Sequence, residues 1–310
     1  MGEKIEIMNL LQNKQLLEHE LQSIAYGSVE IRENGSNKYI YVHYREDGVA
    51  LTKYVGEYSD ELYNLILNNS IKAKELKKKI REIEKKLKQL NYKEDELSEE
   101  VKKNIDFAKR HLVDTIYKQA ILEGVATTFA DTESIIEGGK VNNMTTEDIM
   151  KIVNLKHAWE FILNKNVILS DTNFALLCEV NKMIEEGFYY SAGKIRNVPV
   201  TIGGTTWKPE LPIESIVKEE LETILNKKTD DVDIAIELLL YIMKKQIFID
   251  GNKRTAVIYS NHYLISKGKG IIVIPTELTV EFKDLLILYY EGKDEKKIKT
   301  FLKEKCYINI

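Results

Sequence analysis

The chain has 310 residues, 44% of them hydrophobic and 30% charged, with a net charge of −4 and a pI near 5.9. That composition suits a soluble globular protein of two or more modules and excludes wholesale disorder, and the near-balanced charge gives no global pull towards nucleic acid or an anionic membrane. Two widely spaced cysteines, Cys178 and Cys306, indicate neither a disulfide framework nor a zinc site and fit a reducing cytoplasm, while no apolar run reaches the ~18 residues of a membrane span or has the shape of a signal peptide.

Apolar positions Ile5, Met8, Leu11, Leu16, Leu17 and Leu21 recur at helical spacing and predict a first helix over 3–24. From Ser28 the pattern alternates: "SVEIR", "KYIYVHYR" and "VALTKYV", separated by Asn34-Gly35 and Asp47-Gly48, predict a three-stranded antiparallel meander. Its middle strand puts Tyr39, Tyr41 and His43 on one face, and stacked tyrosines can bind bases or peptides. The alternative is that the protein's own helices cover both faces.

Between Ser59 and Leu90, Leu62, Ile66, Ala73, Leu76, Ile80, Ile83, Leu87 and Leu90 follow steps of four and three, a coiled-coil seam with Asn69 in its one gap. A second helix from Leu97 to Leu122 presents Val101, Ile105, Ala108 and Leu112, and the short polar turn between the two predicts an antiparallel helical hairpin over 59–118. Such a seam closes within one chain or between two copies. The lysine-rich arm "KAKELKKKIREIEKKLKQL" can contact phosphates, which makes residues 1–118 the place for any nucleic acid; Glu75, Glu82 and Glu84 interrupt the run and favour a solvated exterior.

Beyond Gly124 the pattern is mainly α-helical, with helices expected over 146–164, 171–187, 213–226, 231–245, 252–267, 277–290 and 294–305. One insertion, "VPVTIGGTTWKPELP", has a Gly203-Gly204 turn between extended runs and predicts a β-hairpin. The expected division is thus 1–58, helix and meander; 59–118, helical hairpin; and 119–310, a helical domain.

The chemistry concentrates in "QIFIDGNKRT", Gln246 to Thr255, a junction between two helices. Gly251 and Asn252 at the start of the second helix leave backbone N–H groups free to bind an anion, Lys253 and Arg254 add positive charge, and Asp250 can hold a divalent metal against phosphate oxygens. A polar turn with an aspartate cap is the plainer reading of the same residues.

The surrounding sequence resembles the Fic family, enzymes that most often transfer AMP from ATP to a protein hydroxyl. The family motif is H-x-F-x-D/E-G-N-G/K-R, and Phe248, Asp250, Gly251, Asn252 and Arg254 match it in register. "SAGKIRNVPVTIGG" resembles the family's glycine, arginine and β-hairpin flap at Gly193, Arg196 and Val198 to Trp207, and "ESIIEGG" resembles its inhibitory segment, written S/T-x-x-x-E-G/N. The resemblance spans about residues 120–290. It implies a Fic-type helical domain with a β-hairpin flap, a magnesium ion held by Asp250, and ATP phosphates held by Gly251, Asn252, Lys253 and Arg254. It further implies a protein target added as a strand along the flap at Thr201 and Ile202, and Glu137 as inhibitory carboxylate.

Three positions depart from the pattern. Gln246 stands where the family has the histidine that takes a proton from the attacking hydroxyl, and a carboxamide has no basic nitrogen near neutral pH. Val257 replaces the second arginine of the longer motif, so Glu137 lacks its expected partner, and Glu133 stands where the inhibitory segment has Ser or Thr. Lys253 is closer to the Doc toxin branch, in which a phosphoryl group is transferred. The readings are an ATP- and magnesium-binding transferase impaired at its base, a pseudoenzyme that senses nucleotide or grips a partner such as an antitoxin, and a Doc-like phosphotransferase.

Overall fold

The computed structural model describes residues 23–35, 37–46, 49–90, 97–142 and 144–310, with scattered residues between Glu6 and Leu21. The chain forms two units, Met1–Glu96 and Leu97–Ile310.

In the first unit, β1 (Ser28–Asn34), β2 (Asn37–Glu46) and β3 (Val49–Glu57) form the expected antiparallel meander in the order β1-β2-β3. Asn34 pairs with Asn37, so Asn34 is still a strand residue rather than part of the turn. The Asp47-Gly48 turn lies outside the described residues. Ile40 and Val42 pack with Ile66 of α1 (Asp60–Gln89), so one face of the sheet is covered by this unit's own helix. Tyr54 contacts both Tyr39 and Tyr41 on the opposite face, with the Arg32 guanidinium over Tyr41.

Helix α1 starts because Ser59 accepts from the Leu62 N–H, with Asp60 and Glu61 in its first turn and Lys86 and Lys88 in its last, each complementing the helix dipole. Of the seam positions, Ile66, Ala73, Leu76, Ile80 and Leu87 are buried. The helix expected over 3–24 lies largely outside the described residues. Those described there are helical from Glu6 to Leu21, and Lys14 pairs with Glu84 while Glu20 pairs with Lys72, an antiparallel order.

The expected second arm belongs instead to the second unit, as two helices, α2 (Glu99–Arg110) and α3 (Leu112–Leu122). The break is at His111, whose ring stacks on Phe107 and whose Nδ1 bonds the Phe107 carbonyl, competing with the helix ladder. The stripe Val101, Ile105 and Ala108 joins the large core of this unit, and Asn104 Oδ1 accepts from the Gly270 N–H. The apolar spacing thus foretold a buried face and misassigned its partner.

Helices α4 (Phe129–Ile136), α5 (Thr146–Ile162), α6 (Lys165–Ile168), α7 (Phe174–Ile184), α8 (Glu214–Leu225), α9 (Asp231–Lys245), α10 (Asn252–Ser266), α11 (Thr279–Tyr290) and α12 (Glu295–Phe301) follow. Two short strands, β4 (Ile271–Ile272) and β5 (Tyr307–Ile308), pair antiparallel. Helix α10 is the hub, buried on every side from Arg254 to Ile265. Two of its polar residues are satisfied internally: Asn261 exchanges bonds with the Ile272 N–H and C=O, and His262 bonds Thr172 and the Val167 carbonyl.

Candidate functional site

Helix α9 ends at Gln246, whose backbone is left-handed (φ 48°) and whose N–H still donates to the Ile242 carbonyl. Ile247 and Phe248 then plunge into the core. Asn252 staples the returning chain: its Oδ1 accepts from the Phe248 N–H at 2.9 Å, and its Nδ2 donates to the Phe248 carbonyl at 2.8 Å and to Gln246 Oε1 at 3.2 Å. Gln246 Nε2 donates to the Met243 carbonyl at 2.6 Å, so both ends of this amide are engaged. The Asn252 side chain thus shapes the loop, whereas the resemblance made it a phosphate ligand.

Gly251 begins α10 with φ 72°, a left-handed conformation that side chains disfavour, and a Cβ there would lie 2.3 Å from Glu185 Oε1. No side chain caps α10. Among the described residues, no protein acceptor meets the N–H groups of Asn252, Lys253 and Arg254, while the Gly251 N–H donates to Asp250 Oδ1 at 2.7 Å. Unpaired N–H groups at a positive helix end are the kind of element that can hold an anion. Asp250 is half exposed beside them, free to meet a cation in solvent.

Arg254 turns inward. It is 3% exposed, and its Nη2 lies 2.8 Å from Glu185 Oε1 and 3.6 Å from Asp250 Oδ2, with Nε 3.7 Å from Glu123 Oε2. Lys253 stands 3.5 Å from the same Glu123. Glu185, 2% exposed, has its carboxyl pushed up to about 7 by burial, an effect that Arg254 opposes and that Asp250 and Glu123 reinforce. Gln119 fixes this arrangement: its Nε2 donates to the Arg254 carbonyl and its Oε1 accepts from Trp159, which holds the end of α3, and so Glu123, against the first turn of α10.

Asn181, buried on α7, donates to the Asp250 carbonyl and to Thr255 Oγ1 and accepts from the Gly193 N–H at 2.9 Å. Gly193 (φ 73°) has no room for a Cβ, which would lie 2.7 Å from the Cys178 carbonyl. Arg196, 2% exposed, donates through Nε to the Gln246 carbonyl, through Nη1 to Val198 and through Nη2 to Glu210, and burial lowers the pKa of its guanidinium. It clamps the base position to the segment that follows. Glu123, Glu185, Asn181 and Gln119 carry no motif signal; Asn181 alone was readable, as a polar residue at helical spacing between the apolar Leu177 and Ile184.

The expected β-hairpin over 198–207 does not form. Apart from the Gly203-Gly204 turn the segment has no regular secondary structure and makes no strand pairing. Pro199 supplies no N–H, and the distal arm is recruited elsewhere: Thr205 bonds Glu291, Trp207 stacks on Tyr290, and Arg196 takes the carbonyl of Glu210. Thr201 is exposed and Ile202 half-buried, and among the described residues no backbone hydrogen bond engages 199–204. Glu137 caps α4 on the surface, exposed and in no ion pair among the described residues, while Val257 is buried in the core.

The helix-loop-helix, the uncapped α10 and the flanking flap define a helical domain of Fic type. Residues 171–264 match the model of the Fic/DOC family. Solved structures agree in fold. A Fic domain-containing signaling protein from Bacteroides thetaiotaomicron is similar with a TM-score of 0.52 at 20% identity, over 62% of this chain and 75% of that one. A fragment of Fic-1 from C. elegans gives 0.53 at 18%, over 79% and 77%. A Fic family protein from Desulfovibrio desulfuricans gives 0.51 at 13%, over 66% and 69%. No curated protein sequence matches the chain.

Proposed function

We propose that residues 250–254 bind a nucleotide polyphosphate with a divalent cation, ATP with magnesium, in a domain impaired for transfer to a protein hydroxyl. The start of α10 carries this reading: uncapped N–H groups behind a left-handed Gly251, with Lys253 and the half-exposed Asp250 beside them. Magnesium keeps most of its waters and asks for one or two carboxylates plus phosphate oxygens, a demand that Asp250 fits. Among the described residues, no group of three or more His, Cys, Asp or Glu is arranged to hold a metal without such oxygens. When bound, the cation neutralises phosphate charge; Asp250 positions it, and the α10 N–H groups orient the phosphates.

The impairment follows from Gln246. Its amide is tied at both ends and accepts no proton near neutral pH, so a general-base contribution of about 10²–10⁴-fold is missing. His262 offers no substitute, being fully buried between Thr172 and Val167 with a lowered pKa. A protein target would add a strand along 199–204, where no backbone hydrogen bond is made among the described residues. Among the described residues no helix is long and apolar enough to cross a membrane.

The test is Gln246→His supplied with magnesium and ATP labelled at either the α or the γ position. Restored labelling from the α position marks adenylyl transfer. Labelling from the γ position alone marks the phosphoryl reaction that Lys253 favours. No labelling by the histidine variant, in a protein that binds ATP, leaves a nucleotide-sensing module and refutes the transferase reading.

A further inference from the structure

Three carboxylates crowd one buried guanidinium. Glu185 and Glu123 come from the ends of α7 and α3 and Asp250 from the loop, all within 4 Å of Arg254. The network is badly satisfied: Arg254 Nη1 is buried with no partner among the described residues, and Arg254 Nε, Glu185 Oε1 and Glu123 Oε1 are buried in ion pairs without a well-formed hydrogen bond. Buried polar atoms are nearly always paired, so an unmet donor on a buried arginine at an uncapped helix start points to an oxygen-rich ligand. The carboxylates stand against such a ligand. Glu185 also touches the other side of the nest, since only the missing Cβ of Gly251 makes room for its Oε1.

We propose that Glu185, assisted by Glu123, is a resident competitor for Arg254: a built-in carboxylate clamp that holds the arginine away from nucleotide phosphate and sets the affinity of the site. This rests on the nucleotide-binding reading above. Arg254 leaves Glu185 for phosphate oxygens when ligand binds, and the released carboxylate repels the phosphates. The clamp acts at the first arginine of the motif, and Glu137, on the surface without an ion pair, has no part in it. Lys253, near Glu123, and Lys151 and Glu147 of α5, which act electrostatically on Glu185 and Arg254, complete the charged surroundings.

The experiment is calorimetry of ATP with magnesium on the full chain. Glu185→Gln keeps the shape and removes the charge; at an effective dielectric near 20, a charge a few ångströms from phosphate is worth at least about tenfold in affinity. Tightening by about tenfold is expected, with a smaller gain for Glu123→Gln, which carries the test if the first variant fails to fold. In an Arg254→Gln background the gain from Glu185→Gln shrinks, because the competition is for Arg254. Unchanged or weaker binding by both charge-removing variants, with the parent protein binding, overturns the clamp and leaves the nucleotide reading standing. No binding by any form overturns both.

Discussion

Replacing Gly251 with alanine tests the geometry of the loop most sharply. The position has φ 72°, and holding a side chain in the left-handed region costs about 1–2 kcal/mol. The new Cβ would sit 2.3 Å from Glu185 Oε1 and 3.1 Å from Glu185 Cδ and Ile184 Cγ2, so Glu185 must move and loosen its 2.8 Å pairing with Arg254. Disturbing such a buried pair adds about 1–3 kcal/mol, short of the ~3–5 expected for complete removal of one partner. The total is about 2–5 kcal/mol, read as a lower urea midpoint at unchanged slope. In a Glu185→Ala background, itself destabilised, the same substitution should cost only the backbone part. A loss below about 1 kcal/mol, or the same loss in both backgrounds, would refute the contact between Gly251 and Glu185 on which the site is built.

Other outcomes follow from the same contacts. Arg196→Lys replaces a fork bonding three backbone carbonyls with a point charge; it should cost about 2–4 kcal/mol and speed proteolytic cleavage within 199–204. Asn181→Ala frees the Gly193 N–H and the Asp250 carbonyl and should cost about 2–4 kcal/mol in a urea titration. For Glu185 the folded value is raised from the ordinary carboxylate range to about 7. The native protein therefore holds a proton that the unfolded chain has released: the contribution is fully present below the unfolded value, is lost as pH rises to about 7, and changes no further above. Urea midpoints across that window should show a decline that Glu185→Gln flattens.

Much of this was legible in the sequence because it depends on local pattern. The meander was marked by alternation and two turn dipeptides, the helical C-terminal region by period, and the loop by Asp250, Gly251 and the cations beside them. What misled was the assignment of partners: the stripes at Ile66–Leu87 and Val101–Ala108 both announce a buried face, but spacing does not say against what, and the turn between them suggested each other. The flap was read from a Gly-Gly turn, whereas pairing there loses to long-range contacts of Thr205, Trp207 and Arg196 that no local signal encodes. Likewise Arg254 reads as a phosphate ligand only until Glu185 and Glu123, 69 and 131 positions away in sequence, are brought against it.

Every proposed role of the loop depends on its binding nucleotide without a histidine base. Calorimetry of the full chain with ATP and magnesium, set beside Asp250→Ala, tests it most directly. One ATP per chain is expected, weakened at least about tenfold by loss of the cation ligand. Absence of heat at millimolar ATP in both the parent protein and Glu185→Gln, or binding indifferent to Asp250 and to magnesium, would contradict it.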